Sequence, residues 1–467
     1  MIQTPQAAKY RPATEIDTLM PDIADPVVAA DFPKTTLRYR NDRAAASVGL
    51  DDLSDDDWIA HFGRFVPLEG SLPRPLALRY HGHQFRHYNP DIGDGRGFLF
   101  AQLRDDAGRL LDLGTKGSGQ TPYSRFGDGR LTLKGGVREI LATEMLEALG
   151  VNTSKTFSII ETDEALERND EPSPTRGAVM VRLSHSHIRI GSFQRAAFHD
   201  DQTLLARLTD YALTRLYDET PGDNPPAQLL GRVVERTADL AASYMVAGFV
   251  HGVLNSDNIN VTGESFDYGP WRFTPLWDAN FTAAYFDHQG LYAFGRQPEA
   301  LHWNCGQFAV ALRLLTDAPP LIAAMERFGP LYMKAIGRRW CWRLGLESRD
   351  AESNAGLVNA CEKQMTESGI APDQFFFDHR GGRSATGALA EIMQGFKPVG
   401  DTHPYWHGDG PESMLIDEVE TIWAAIAESD EWAPLHDKVA ALRRMGDAHG
   451  APPLPRGHLP RQADDLN

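Results

Sequence analysis

The chain has 467 residues, 42% of them hydrophobic, with 22 Phe, 13 Tyr and 9 Trp. This composition excludes a disordered chain, and the length predicts roughly two or three packed lobes or subdomains. The net charge of −18 at pH 7 and the pI near 5.3 argue against nucleic acid and anionic membranes as partners, so that a few placed cations must bind any phosphate.

Three further features predict a cytoplasmic protein. No apolar run in the sequence is long enough to cross a membrane. Residues 1–10 lack the apolar stretch of a secretory signal. Cys305, Cys341 and Cys361 are scattered without the spacing of a metal site, and we expect them to be reduced thiols.

The first block, residues 1–75, is rich in Pro and Asp, and we expect it to be an extension that wraps on the core. It contains one clear helix signal, because Ser54 can cap a helix that begins with Asp55 and continues through Trp58.

Residues 76–195 are predicted to form a strand-rich lobe. The segments 97–103 and 109–115 flank the turn Asp-Asp-Ala-Gly, which is a strong signal for a hairpin. Further strands are expected at 156–161 and 178–183.

A glycine-rich segment immediately precedes this hairpin. Gly93 and Gly95 allow the backbone to approach a phosphate and to present N–H groups to it, and Arg96 adds a fixed positive charge. A plain turn is the alternative, but the position before the hairpin favours a phosphate-binding loop.

Lys116 follows the second hairpin strand, and Glu139 lies in the first turn of a helix predicted over residues 136–149. Kinases hold the nucleotide phosphates with a strand lysine that is paired with a glutamate on the following helix. Taken singly, Lys116 could be a solvated surface lysine, and Glu139 could be a carboxylate favoured at a helix start. Together they favour a nucleotide site.

Arg182 and Arg189 lie seven residues apart in an otherwise acidic chain. Two guanidinium groups at this spacing could clamp a polyphosphate. Surface ion pairs with neighbouring carboxylates are the alternative.

Residues 196–350 are predicted to form a helical lobe, with a long helix over about residues 227–249. Residues 351–467 are predicted to form a helical extension and a tail. A strand-rich lobe followed by a helical one predicts an α+β, protein-kinase-like two-lobed fold with an N-terminal extension and a helical C-terminal extension.

The segment after the long helix carries the strongest signal. His251 and Asn258 have the spacing of a kinase catalytic loop, and Asp267 follows nine residues later at the head of a metal-binding turn. An amide and a carboxylate oxygen at this spacing predict a Mg²⁺ site. The position of the kinase catalytic base, however, is Val253, which cannot accept a proton. Asp257 could act as a base instead, or it could be a turn residue bonded to its own backbone.

Taken together, these motifs resemble the SelO/YdiU family of kinase-like proteins. The resemblance runs in order over about residues 76–300. It rests on Gly82-His83-Gln84-Phe85, Gly93-Asp94-Gly95-Arg96, residues 113–130, Arg138-Glu139, Arg182, residues 186–189, Gly191, residues 251–258 and residues 267–270.

The resemblance implies a protein adenylyltransferase that places AMP from ATP on the Ser, Thr or Tyr hydroxyls of target proteins, with the nucleotide reversed relative to kinases. It implies Mg²⁺ or Mn²⁺ as the cofactor. The implied roles are nucleotide contacts for Gly93, Gly95, Arg96, Lys116, Asp128, Gly129, Arg182, Arg189 and Asp267, metal ligation for Asn258 and Asp267, proton acceptance for Asp257, and orientation of Lys116 for Glu139.

The sequence departs from the family pattern at several positions, including Lys134-Gly135-Gly136 in place of a more usual Arg-Ser-Ser and a divergent C-terminal third. Arg86 follows Phe85 where relatives often have glycine, and no cysteine follows Cys361, so redox control through a C-terminal cysteine is not expected. Three alternatives stay open: an atypical kinase in which Asp257 replaces the missing base, a nucleotide-binding pseudokinase scaffold, and UMP transfer from UTP.

Overall fold

The computed structural model of the protein describes residues 9–169, 171–400 and 402–454. Within those ranges the chain is a mixed α/β structure in which a large antiparallel sheet is followed by many helices. The strands are β1 (Pro12–Ala13), β2 (Ala24–Pro26), β3 (Thr36–Arg40), β4 (Leu76–Leu78), β5 (Gly82–Gln84), β6 (His87–Asn89), β7 (Leu99–Arg104), β8 (Leu110–Lys116), β9 (Leu131–Thr132), β10 (Lys155–Leu166), β11 (Thr175–Ser184), β12 (Phe249–Val250) and β13 (Arg272–Phe273).

The centre of the sheet consists of long strands that the sequence predicts. β7 pairs antiparallel with β8, with Ala101 opposite Leu113, which confirms the hairpin. β8 pairs with β11, and β11 pairs with β10. The last two strands are longer than expected at both ends.

The sheet separates two cores because successive strand residues point to opposite faces. In β11, Val179 and Val181 face a core that contains Trp58 and Phe62. Met180 faces the other core, which includes the helix that carries Glu139.

The first block of the chain contributes strands to this sheet. β2 pairs with β4, β1 pairs with β7, and β3 pairs with β10 at the opposite edge. A helix begins at Asp55, and Ser54 Oγ accepts a hydrogen bond from the Asp57 backbone N–H, which confirms the predicted cap. The short strands have too few residues for a detectable alternation of polar and apolar side chains.

Helices pack on both faces of the sheet, with α1 and α2 on one face and α3 on the other, and further helices form the rest of the structure. The helix predicted over residues 136–149 is α3, and the long one predicted over about residues 227–249 is α6. In chain order they are α1 (Asp42–Ser47), α2 (Asp55–Phe62), α3 (Leu133–Ala148), α4 (Ile190–Phe198), α5 (Gln202–Tyr211), α6 (Pro225–Ala247), α7 (Gln297–Leu312), α8 (Ala318–Glu326), α9 (Phe328–Arg343), α10 (Ala351–Ser368), α11 (Pro372–Asp378), α12 (Gly387–Met393), α13 (Ile416–Ser429) and α14 (Ala433–His449).

The last helices return to the sheet. Arg443 of α14 pairs with the buried Glu144 of α3, with Nη2 2.6 Å from Oε1, and Tyr39 donates to the same carboxylate at 2.8 Å. Asp430, between α13 and α14, pairs with Arg38 and Arg176 of the sheet. Helix α3 is therefore packed between β10 and β11 on one side and α14 on the other.

The structure also tests the expectations about membrane spans and cysteines. In the described part of the chain, no helix has the length and apolar character needed to cross a membrane. Cys305, Cys341 and Cys361 are free, as expected, and all three are buried. Burial raises the pKa of the Cys305 and Cys341 thiols to about 12, so these thiols are unreactive at neutral pH.

Candidate active site

A cleft of about 840 Å³ lies where the strands of the sheet meet the loops that follow α6. It brings together every residue predicted to contact nucleotide or metal, although these residues are spread along the chain from Gly93 to Asp267. The predicted residues that line it are Gly93, Gly95, Arg96, Lys116, Asp128, Gly129, Arg182, Arg189, Asp257, Asn258 and Asp267.

Lys116 is the last residue of β8 and is only 5% exposed. Its Nζ lies 2.5 Å from Glu139 Oε1 and 2.9 Å from Asp267 Oδ1. Glu139 lies behind the cleft wall and is itself buried. The alternative of a solvated lysine is therefore wrong. Helix α3 begins at Leu133, so Glu139 lies in its second turn and not in the predicted first turn, which also excludes the alternative of a helix-start carboxylate. The predicted lysine–glutamate pair is present.

Asp267 has a left-handed backbone conformation, with φ of 63°, which directs its carboxylate to the cations of the cleft. Arg182 Nη1 lies 3.4 Å from its Oδ1. Burial alone would raise the pKa of Asp267, but Lys116, Arg182 and Arg96 hold that pKa well below its ordinary value. The carboxylate is therefore ionised at neutral pH and suited to a cation.

Arg182 and Arg189 are 5% and 4% exposed, so the alternative of surface ion pairs is wrong. Both guanidinium groups lie 5.0 Å from the centre of the Phe266 ring. Arg182 Nε donates to His187 Nε2 at 3.3 Å. Arg189 donates to the Asp257 carbonyl and to Asp94 Oδ1, both at 3.1 Å. The two cations are thus fixed in place before any ligand binds.

Asp257 lies in a short 3-10 turn at the floor of the cleft. Its side chain is buried, and within the described residues its Oδ1 has no hydrogen-bond partner. Gln84 Nε2 lies 3.5 Å from Oδ2. Burial raises the pKa of Asp257 to about 6 because it disfavours the charged form, and a hydrogen bond from its own backbone, as in the turn-residue alternative, only partly opposes that rise. A carboxyl that titrates just below neutral pH can accept a proton from a substrate group.

Asn258 and Val253 are linked across the loop that follows β12. Asn258 Nδ2 donates to the Val253 carbonyl at 3.0 Å, which leaves the amide oxygen as the atom available to a cation. No three His, Cys, Asp or Glu side chains come together as a metal site within residues 9–169, 171–400 and 402–454. Asn258 and Asp267 are nevertheless oxygen donors of the kind that Mg²⁺ prefers, and phosphate oxygens and water would complete the coordination. The residues present fit such an ion.

Two loops of the sheet side form the upper rim. Gly93 approaches the Tyr123 ring so closely that a Cβ there would lie 2.5 Å from Tyr123 Cγ. Gly129 has φ of 72° in a tight turn against Gly119, a conformation that glycine adopts without strain. Asp128 beside it is exposed and pairs with Arg168 at 2.8 Å.

Sequence reasoning missed several residues that build the site. Asp94 neutralises Arg189, and Phe266 supports both arginines. Asp94 sits between Gly93 and Gly95, and Phe266 directly precedes Asp267, so proximity to the motifs is a signal that could have identified them. His187, which holds Arg182, could be found only from the fold.

Comparison with known proteins shows the family of the chain. The family model described as "Protein adenylyltransferase SelO" matches residues 6–395. The chain belongs to this family. The resemblance inferred from the motifs is therefore confirmed, and the family is one of nucleotidyltransferase enzymes.

Relatives match the SelO-family chain over nearly its whole length. A protein of Synechocystis sp. named "Protein nucleotidyltransferase YdiU" is 42% identical over 93% of this chain and 98% of its own length. The protein of the same name from Synechococcus elongatus is 42% identical over 94% of this chain and 95% of its own length. The protein of the same name from Pseudarthrobacter chlorophenolicus is 33% identical over 95% of this chain and 86% of its own length.

Proposed function

We propose that this protein transfers AMP from ATP to Ser, Thr or Tyr hydroxyls of target proteins and releases pyrophosphate. The main support for this proposal is Asp257. It is a buried carboxyl with an oxygen that has no partner in the described structure and a pKa of about 6, in the same cleft as three fixed cations. The residue at the position of the kinase catalytic base is Val253, whose side chain cannot accept a proton.

The transfer step needs each of these groups. The acceptor hydroxyl oxygen forms a bond to the α-phosphorus, while the bond from that phosphorus to the bridging oxygen of pyrophosphate breaks. The hydroxyl proton passes to Asp257, and the electron pair of the broken bond goes to pyrophosphate. Lys116, Arg182 and Arg189 neutralise the charge that develops on this leaving group.

Asn258 and Asp267 would hold Mg²⁺ or Mn²⁺. When bound, the ion neutralises phosphate charge and makes the α-phosphorus more electrophilic. The ionised state of Asp267 at neutral pH supports this assignment, as does the Asn258 amide oxygen left available by the bond to Val253.

The nucleotide lies reversed relative to its orientation in a kinase. A reversed nucleotide presents its α-phosphorus to Asp257 and its β- and γ-phosphates to the cations, so that no carboxylate is needed at Val253. The fixed positions of Arg182 and Arg189 support this orientation, because both are buried deep in the cleft.

We extend the proposal to the architecture and location of the protein. A lysine–glutamate pair on the sheet side and metal-ligand residues on the helical side support a kinase-like arrangement of two lobes, residues 76–195 and 196–350. Residues 1–75 and 351–467 would be the N-terminal and C-terminal extensions. A cytoplasmic location fits free cysteines and an ATP-dependent activity.

Labelled nucleotides test the proposal. Purified protein is incubated with a bacterial lysate and either α-labelled ATP, γ-labelled ATP or α-labelled UTP. Label on protein from α-labelled ATP alone is the expected result. Label from γ-labelled ATP would support an atypical kinase, label from UTP would make UMP the transferred group, and nucleotide binding without label would support a scaffold.

A further inference from the structure

A group of aromatic side chains beside Asp257 is not used by the mechanism above. We define the aromatic platform as Phe85, Tyr285 and Phe286. The Phe286 ring centre lies 5.7 Å from that of Phe85 and 5.1 Å from that of Tyr285. Tyr285 is 82% exposed and Phe286 is 42% exposed. Neighbouring exposed aromatics of this kind mark interaction sites on protein surfaces.

The platform is attached to the loop that carries Asp257. Three consecutive residues of the β5–β6 hairpin contact three consecutive residues of that loop. The His83 N–H donates to Ser256 Oγ at 2.7 Å, and the Phe85 N–H donates to Asn255 Oδ1 at 3.0 Å. Between them, Gln84 reaches Asp257. These contacts fix the position of Phe85 relative to Asp257, so a group bound at the platform has a defined position relative to that carboxyl.

The other side of the platform is also rigid. Asp287 accepts hydrogen bonds from the backbone N–H groups of Leu291 and Tyr292, both at 2.8 Å. Tyr292 in turn donates to Asn255 at 2.7 Å and packs against Phe85 with ring centres 5.0 Å apart. The segment that displays Tyr285 and Phe286 is thus fixed in position although its aromatic rings are exposed, so it loses little conformational entropy on binding.

We infer that the aromatic platform binds the segment of the target protein that carries the acceptor hydroxyl, and that it selects a large apolar residue next to that hydroxyl. This inference rests on the proposed function. The acceptor must reach Asp257, which is buried at the cleft floor, so the flanking residues of its segment must lie on the rim. Gln84, which precedes Phe85, and Asn255, which accepts a hydrogen bond from the Phe85 N–H, both line the cleft. The platform therefore lies just outside the cleft lining, and rigid aromatic surfaces favour apolar and aromatic partners.

Paired synthetic peptides test the inference. Each pair carries one Ser, Thr or Tyr acceptor, flanked by Leu in one peptide and by Asp in the other. With α-labelled ATP, we expect the Leu peptide to have the lower KM. Phe286→Ala and Tyr285→Ala should raise that KM by about tenfold without changing the KM for ATP, and Phe286→Leu should restore most of the affinity.

Phe198→Ala is the matched control. Phe198 is also an exposed aromatic, but it stacks on Tyr88 and not on the platform, so this variant should keep the preference for the Leu peptide. A second measurement does not depend on turnover. Replacing the flanking Leu with a photoreactive benzoylphenylalanine should give crosslinks to Phe85, Tyr285 or Phe286.

The outcomes separate this inference from the proposed function. Three results would contradict peptide binding by the platform while leaving AMP transfer intact. They are equal KM values for the two peptides, a preference for Leu that persists in both alanine variants, and crosslinks to other residues. Crosslinks to the platform without any labelling from α-labelled ATP would support the platform as a peptide-binding surface and overturn the proposed reaction.

Discussion

Lys116 Nζ lies 2.9 Å from Asp267 Oδ1, so that the end of strand β8 meets the loop after α6 at the base of the cleft. Glu139 contacts the same ammonium group from the other side at 2.5 Å. A single buried cation therefore joins the sheet, helix α3 and the candidate metal ligand. Substitutions at Lys116, Glu139 and Asp267 should therefore differ in how strongly they reduce ATP affinity, the rate of AMP transfer and the free energy of unfolding.

Asp267→Asn should abolish AMP transfer. The substitution keeps the shape of the side chain but removes the negative charge that a phosphate-bound cation needs, and losses of roughly a thousandfold or more are typical of such electrostatic contributions. The measurement is the initial rate with α-labelled ATP across a titration of Mg²⁺ and of Mn²⁺. Near-normal turnover in a folded Asp267→Asn protein would contradict the assignment of a metal ligand.

Lys116→Met should weaken ATP binding and also destabilise the protein. It leaves Glu139 as a buried carboxylate without its cation, and breaking a buried pair in this way costs roughly 3 kcal/mol or more. Chemical denaturation measures the free energy of unfolding, and calorimetric titration measures the affinity for ATP.

The double variant Lys116→Met/Glu139→Gln is the control for that experiment. Removing both charges should restore most of the lost stability but not the affinity for ATP, because Glu139 does not line the cleft. Equal stabilities of the single and double variants would show that the pair does not behave as a buried ion pair. Glu139→Gln alone should reduce transfer less than Lys116→Met, because Lys116 still reaches the phosphates.

The rate of transfer should fall as the pH is lowered through about 6. Burial raises the pKa of Asp257 to about 6, and the protonated carboxyl cannot accept the hydroxyl proton. A pH profile of kcat should therefore show an acidic limb that Asp257→Asn removes together with almost all activity. If Asp257→Asn keeps some activity and its kcat still falls at low pH, another group is responsible for the titration.

The same pKa predicts a gain in stability for Asp257→Asn. The folded state holds a proton on Asp257 up to about pH 6, whereas the unfolded chain loses it near 3.8. The contribution of Asp257 to the free energy of unfolding therefore falls as the pH rises from about 4 to 6, and at neutral pH the cost of its buried charge is roughly 3 kcal/mol at most. Asp257→Asn should be more stable than the unsubstituted protein at pH 7 and equal to it near pH 3. Unchanged stability at pH 7 would mean that the carboxyl is not destabilised by burial.

Val253→Asp should not create a kinase. In the reversed orientation the γ-phosphate lies away from this position, so a new carboxylate there has no hydroxyl to deprotonate. Because Val253 is half-buried, the added charge should cost about 1–3 kcal/mol. Transfer is measured with γ-labelled ATP, and Val253→Asn serves as a matched uncharged control. A rise in γ-phosphate transfer with Asp and not with Asn would favour a degenerate kinase.

Much of the site could be predicted from the sequence because its residues lie in local motifs. The β7–β8 hairpin has a turn signal, Ser54 is a helix cap, and the spacing of Asn258 and Asp267 is short enough to be read along the chain. The burial of Lys116 and Glu139 could not be predicted, since it depends on packing between β8, α3 and the loop after α6.

Other features depend on contacts between distant parts of the chain. β3 pairs with β10 although more than a hundred residues separate them, and its five residues have no diagnostic pattern. His187 holds Arg182 from the turn after β11, and it is itself held by Asp112, whose carboxylate accepts from the His187 N–H at 2.9 Å although the two residues are far apart in the sequence. The aromatic platform likewise joins residues 85 and 286, which are remote in the sequence.

The orientation of the bound nucleotide tests the central claim most directly. A crystal structure of the protein with Mg²⁺ and an ATP analogue that resists cleavage between the α- and β-phosphorus atoms measures which phosphorus lies nearest to Asp257. We predict that the α-phosphorus lies nearest, with the β- and γ-phosphates on Lys116, Arg182 and Arg189. A γ-phosphorus nearest to Asp257, with the α-phosphate on those cations, would contradict adenylyl transfer as the reaction of this site.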